Sequence, residues 1–267
     1  MAQSANLTVM INAVRKAARG VQRDFGEIAN LQVSVKGPGN FVTAADKRCE
    51  KVIREELEKA RPGYSFLMEE SGSVTGSDAD HRFIIDPIDG TTNFIHSIPF
   101  FALTVALERK GDLLAAVTYN PISDELFTAE RGQGAWLNGA PLKVSGARTL
   151  IDSLLCTGFP YSVQRDAESL VGLFGEFLKV SRAVRRLGSA AIDLAYVAAG
   201  RLDGFWEQSL HPWDVAAGAL IIQEAGGIVT DLAGGPYSSR TGNLVATNGH
   251  IHAAMVEIIQ GFLKGSG

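Results

Sequence analysis

Acidic residues in this chain sit where apolar runs stop. Glu69 and Glu70 follow Phe66-Leu67-Met68, and Asp86 follows Phe83-Ile84-Ile85. Asp89 comes three residues later, and Asp214 follows Pro212-Trp213 at the expected start of a helix. Acids converging on one place repel each other and are costly to desolvate. A hard divalent cation with oxygen ligands removes that penalty, which is how Mg²⁺ sites are built. The pattern therefore points to metal-assisted chemistry on an anionic substrate.

The segment Asp86-Pro87-Ile88-Asp89-Gly90-Thr91-Thr92 has its own logic. Pro87 fixes φ and gives up an N–H, stiffening the exit from a strand. The Ile88 carbonyl can then turn toward a metal between the two Asp side chains. Gly90 tolerates a tight turn, and the N–H groups of Gly90, Thr91 and Thr92 could open a helix toward a phosphate. The competing reading is that Asp-Pro and Asp-Gly are ordinary turn dipeptides. Glu69-Glu70-Ser71 and Trp213-Asp214, taken with the loop, weigh against it. Asp46 keeps two readings, a helix cap or a hydrogen-bond partner of a hydroxyl at the reacting site.

Other polar residues carry less. His211, beside Pro212-Trp213-Asp214, reads as structural, and the remaining histidines show no ligand spacing. Arg185-Arg186 reads as a surface or interface ion pair. Lys36, in a glycine-rich loop, either pairs with phosphate or is simply solvated. Gly-x-x-x-x-Gly-Lys-Ser/Thr, Gly-x-Gly-x-x-Gly, Gly-x-Ser-x-Gly and His-Glu-x-x-His are absent, which argues against P-loop, dinucleotide, serine-hydrolase and zincin chemistry.

The elements that must position these groups can be read from periodicity. The chain has 267 residues, room for one large domain or two small ones. Leu7, Met10, Ile11, Val14, Ala18, Val21, Phe25 and Ile28 mark an amphipathic first helix, not a signal peptide. A turn-rich loop is expected over 35–40, then a helix from Thr43 with Cys49, Ile53, Leu57 and Ala60 inward, stopped by Arg61-Pro62-Gly63. Strands are expected over 66–68, 83–85, 101–109, 113–120 and 125–129. Asn138-Gly139 predicts a hairpin between 135–137 and 142–144. Beyond it come helices over 167–178, 189–199, 213–225 and 249–263, and strands over 183–186 and 202–207. Two portions result, 1–150 bearing the metal and phosphate groups and 151–267 completing the site, joined as one unit.

The formal charge of -4 comes without a Lys/Arg cluster, against nucleic acid as the main ligand. No apolar run approaches a membrane span. Two cysteines, Cys49 and Cys156, make a disulfide framework or zinc site unexpected. A cytoplasmic protein is expected.

The residues Lys36, Asn40-Phe41-Val42-Thr43-Ala44-Ala45-Asp46, Glu69-Glu70-Ser71-Gly72, Asp86 to Phe94, Arg186-Leu187-Gly188-Ser189-Ala190-Ala191, Glu207 and Trp213 to Gly218 together resemble the inositol monophosphatase family. Its bacterial, SuhB-like branch is the nearest. The resemblance runs in order over nearly the whole chain. It implies an α/β fold (α+β layered), a five-layer αβαβα sandwich of the inositol monophosphatase/fructose-1,6-bisphosphatase type, in a homodimer. It implies a phosphoric monoester hydrolase that uses two or three Mg²⁺ per site and metal-activated water attack. By resemblance, Glu69, Asp86, the Ile88 carbonyl, Asp89 and Asp214 hold metal. Glu69 and Thr91 position the attacking water, with Asp46 orienting the Thr91 hydroxyl. Gly90, Thr91 and Thr92 take the phosphate, and Gly188, Ser189, Ala190 and Glu207 line the alcohol pocket. Lys36 and Glu70 are further candidates. Asn40 is a departure, since some relatives carry Asp there.

The substrate expected is a small phosphorylated metabolite, first of all myo-inositol phosphate. Fructose 1,6-bisphosphate, 3′-phosphoadenosine 5′-phosphate and histidinol phosphate are alternatives, as is an added regulatory role through a macromolecular partner.

Overall fold

The first helix, α1 (Ala5–Gly26), starts where Ser4 accepts the Leu7 N–H at 3.1 Å. The computed structural model describes residues 3–27, 33–37, 40–160, 162–163, 167–238 and 242–265, with backbone alone over 33–37 and 40–42. Ile28 lies outside them.

A hairpin of β1 (Val33–Gly37) and β2 (Asn40–Thr43) replaces the loop expected over 35–40. Thr43 then caps α2 (Ala44–Ala60), which buries Cys49, Ile53 and Leu57. Next come β3 (Tyr64–Met68), β4 (Gly72–Val74), β5 (Asp78–Asp89), the short α3 (Thr91–Ile95), β6 (Ala102–Arg109), β7 (Asp112–Asn120), β8 (Glu125–Glu130), β9 (Gly134–Leu137) and β10 (Ala140–Pro141). They form an eight-stranded sheet ordered β10-β9-β8-β7-β6-β5-β3-β4, antiparallel except for β3 beside β5. The second strand of the Asn138-Gly139 hairpin stops at Pro141, short of the expected 142–144. Pro141 has no N–H to give the ladder; the Leu142 N–H still reaches the Ala135 carbonyl at 2.8 Å, but the Val144 N–H goes to the Ala225 carbonyl instead.

The second sheet holds β11 (Leu154–Thr157), β12 (Ala183–Arg185), β13 (Gly204–Glu207), β14 (Ile228–Thr230) and β15 (Leu244–Thr247), ordered β12-β11-β13-β15-β14. Helices α4 (Ala167–Val180), α5 (Ala190–Ala198), α6 (Pro212–Glu224) and α7 (His252–Gly265) complete the chain.

Strand alternation sorts the side chains into layers. Phe83, Ile85, Val105 and Leu107 pack with α1 and α2 on one face of the large sheet. Ile84, Ala106, Phe127 and Ala129 point the other way, onto α5 and α6. Those two helices also cover Cys156, Phe205 and Ala246 of the small sheet. Its far face, Leu155, Trp206 and Val245, packs against Phe177 of α4 and Met255 of α7. The order is helix, sheet, helix, sheet, helix. Because α5 and α6 are covered on both sides, nearly all of α5 and the whole 215–222 stretch of α6 are buried.

Candidate active site

The site grows from the end of β5. β3 and β5 run parallel in a register that pairs Met68 with Ile85, so the chain leaves both strands side by side. Glu69 therefore comes next to Asp86, and its own N–H donates to the Ile85 carbonyl at 3.2 Å. The two carboxyl groups are hydrogen-bonded.

The β5–β6 ladder breaks between Asp86 and Asp89. Freed from pairing there, the Ile88 N–H turns back to Asp86 Oδ1 at 3.0 Å. Gly90 follows at φ 96, and a Cβ there would sit 3.1 Å from both the Gly188 and Phe100 carbonyls. Both facts require glycine. Phe94 anchors α3 from below, edge-on to Phe101 at 5.1 Å. Asn93 Nδ2 donates to the Phe100 and Leu187 carbonyls, each at 2.8 Å, tying this turn to the segment before α5.

The remaining acids arrive from other layers. Asp214, in the first turn of α6, accepts the His211 N–H at 2.6 Å. Asp89 accepts the Ser189 hydroxyl and the Ala191 N–H at the start of α5. Oxygens of Asp86, Asp89 and Asp214 all lie within 4.8 Å of one another. Glu69, Asp86, Asp89 and Asp214 lie in one pocket of about 450 Å³ with Ile88, Gly90, Thr91, Thr92, Gly188, Ser189, Ala190 and Glu207. Glu207 forms part of its wall, so close to Gly158 that a Cβ on that glycine would collide with the carboxylate.

Burial raises the pKa of Asp86, and repulsion from Glu69 adds to it. Withdrawal from water also raises Asp214, with Asp89 next in effect. Asp89 is pushed up to about 6 by burial against the pull of its Ser189 and backbone donors. Acids so crowded are poised to give up protons to a cation, and an all-carboxylate oxygen set suits a hard divalent ion.

Asp46 stands behind the pocket and fills both roles the sequence left open. Its Oδ2 accepts the Thr43 N–H and hydroxyl, closing a capping box, while Oδ1 accepts the Thr91 hydroxyl at 3.3 Å. The Thr91 hydroxyl also lies 3.0 Å from the Ile88 carbonyl. Glu50, buried on α2, accepts the Glu70 N–H at 2.7 Å and the Ser71 hydroxyl, fixing the turn after Glu69. Glu70 itself is half-buried and is not part of the pocket wall. The Lys36 and Asn40 side chains lie outside the described residues.

Three features escaped the sequence reading. Arg186 lines the pocket instead of a surface or interface ion pair, and its charge acts on Asp89, Asp193 and Glu207. Asp193, the one acid inside the apolar helix α5, lines it too; that lone acid was the available signal. Glu50 is the third, a charge on α2 that only the fold shows to be buried. His211 lies at the pocket mouth with its ring stacked on Trp213 at 4.7 Å.

Comparison with known proteins agrees with this geometry. The family model described as the inositol monophosphatase family matches residues 3–262. An inositol-1-monophosphatase from Mesorhizobium japonicum is 53% identical over 97% of this chain and 98% of its own length. Nus factor SuhB of Escherichia coli is 46% identical over 94% of each. The crystal structure of the extragenic suppressor protein suhB from Bartonella henselae superposes with a TM-score of 0.93 at 50% identity, covering 96% of this chain and 99% of that one.

Proposed function

The chain belongs to the inositol monophosphatase family and is a phosphoric monoester hydrolase; from that premise we propose that it hydrolyses myo-inositol monophosphate to myo-inositol and phosphate. The observation that carries the reading is the convergence of Asp86, Asp89 and Asp214 within 4.8 Å in a pocket that Gly188, Ser189, Ala190 and Glu207 also line. The acid cluster suits cations and the phosphate they neutralise; the rest of the wall suits a hydroxyl-bearing alcohol.

Buried, mutually repelling carboxylates fit the Mg²⁺ the family uses, and we assign Glu69, Asp86, the Ile88 carbonyl, Asp89 and Asp214 to hold two or three ions. Bound there, Mg²⁺ supplies charge neutralisation and lowers the pKa of water. The protein's own residues do the positioning on which phosphoryl transfer depends. Gly90, Thr91 and Thr92 receive the phosphate beside Asp89. The Thr91 hydroxyl hydrogen is shared between Asp46 Oδ1 and the Ile88 carbonyl, so the Thr91 oxygen offers its lone pairs to a water O–H. Glu69, next to Asp86, takes the proton from that water. Gly188, Ser189, Ala190 and Glu207 hold the alcohol.

In this reading the portions 1–150 and 151–267 work as one unit, since Asp214 from the second completes the acid cluster of the first. We also propose a homodimer, supported by the exposed Ile98 and Ile122, on neighbouring turns bridged by Asn120. No described helix is long and apolar enough to cross a membrane. Two free, buried thiols favour the cytoplasm.

Phosphate release from a panel of phosphomonoesters, with MgCl₂ or with EDTA, tests the function. Mg²⁺-dependent turnover greatest on myo-inositol 1-phosphate is expected. A clear preference for fructose 1,6-bisphosphate, 3′-phosphoadenosine 5′-phosphate or histidinol phosphate would overturn the substrate. Turnover unaffected by EDTA would overturn the metal.

A further inference from the structure

Asp193 is only 1% exposed. It is the single acid in α5, between Ile192 and Leu194, both fully buried. Its carboxyl is hydrogen-bonded to the Cys156 thiol of β11. Its Oδ1 has no hydrogen-bond partner among the described residues. A thiol is a weak donor, and an orphaned buried oxygen opposes folding, so the residue is poorly explained by structure alone.

Among the described residues two other buried atoms are orphaned in the same way, Arg82 Nε and Tyr237 Oη. Both belong to the surroundings of Glu108, away from the pocket. Asp193 differs because it lines the pocket wall with Glu207 and Arg186. The three form a set with two carboxyl groups and one guanidinium within electrostatic reach. Such a set matches an alcohol with several hydroxyls, each of which both donates and accepts.

We propose that Asp193 is a specificity-determining residue whose free carboxyl oxygen accepts a hydrogen bond from a hydroxyl of the leaving alcohol, so that the pocket selects phosphate monoesters of polyhydroxylated alcohols. This rests on the phosphatase reading above. A site built to bond a hydroxyl discriminates strongly against an analogue lacking it, because its buried polar group is then left unpaired.

The test compares wild type and Asp193→Asn as full chains with saturating Mg²⁺. The substrates are myo-inositol 1-phosphate, glycerol 2-phosphate and p-nitrophenyl phosphate, whose leaving group has no further hydroxyl. KM for the first should rise about 10-fold or more, and that for glycerol 2-phosphate less, while turnover of p-nitrophenyl phosphate stays within about twofold. Equal losses on all three, or no change on any, overturn the proposal. If Asp193→Asn does not fold, Cys156→Ala removes only the thiol that holds the carboxyl. It should give the same split between substrates, and an equal effect on all three overturns the proposal. Wild-type failure on myo-inositol 1-phosphate alone would sink the inositol assignment. Asp193 would then be judged on glycerol 2-phosphate against p-nitrophenyl phosphate by the same criterion.

Discussion

Asp46 accepts the Thr91 hydroxyl at 3.3 Å from a carboxylate held on its other oxygen by the Thr43 N–H and hydroxyl. The cap of one helix thus orients a hydroxyl in the first turn of another. Burial pushes Asp46 up to about 6, so near neutral pH it is largely an acceptor. Thr91→Ala removes the oriented oxygen and should lower kcat about 100-fold, with KM within a few-fold. Asp46→Asn should have a smaller effect of the same kind. A rise in KM with kcat unchanged would instead make Thr91 a binding group only.

Glu50 acts on the site through the backbone. It holds the Glu70 N–H and the Ser71 hydroxyl, and so the turn that presents Glu69. Partners behind a ligand tune metal affinity. Glu50→Gln should raise the Mg²⁺ concentration for half-maximal activity by about 10-fold, while kcat at saturating Mg²⁺ recovers most of its value. Mg²⁺ titrations of initial rate decide it, and an unchanged Mg²⁺ requirement would leave Glu50 with a structural role only.

The site was legible because its chemistry is local. Asp86 to Thr91 carries two acids, a stiffening proline and a required glycine within six positions, and Thr43 announces α2 by a cap. What needed the fold was long-range. Nothing near Glu69 in sequence says that β3 runs parallel to β5 and delivers it to Asp86. The strands of the small sheet are short, and β11, β14 and β15 carry no alternation to find. The β1–β2 hairpin was hidden by Gly37-Pro38-Gly39, which reads as loop though strands flank it. The weight of Asp193 likewise depends on α5 being covered on both faces, which only the fold shows.

Gly90 is the position where backbone and packing agree most tightly. Its φ of 96 lies where a Cβ is strained, and the Gly188 and Phe100 carbonyls leave 3.1 Å. Gly90→Ala should destabilise the protein by about 2 kcal/mol and abolish turnover by shifting Thr91. Urea unfolding should show a lower midpoint with an unchanged slope. An unaltered midpoint would mean that the turn relaxes freely and that Gly90 is not required by the fold.

Metal and proton compete for the same carboxylates, which fixes the sign of the pH dependence. In the metal-free protein Asp89 has its pKa raised from 3.8 to about 6, burial being the main cause. Asp86 and Asp214 are raised as well. The folded state therefore holds protons that the unfolded state has released, and stability falls as pH rises through about 6. For one such carboxyl the loss, spread from about pH 4 to about pH 7, is on the order of 3 kcal/mol, roughly half of it above pH 5. Mg²⁺ binds the ionised form, so its stabilising effect should grow over the same range. Thermal midpoints in EDTA should fall between pH 5 and pH 7.5, and those in excess MgCl₂ should not, so the two curves diverge with pH. A metal-free midpoint that climbs across this window would show that these acids are not held in the buried, crowded state described above.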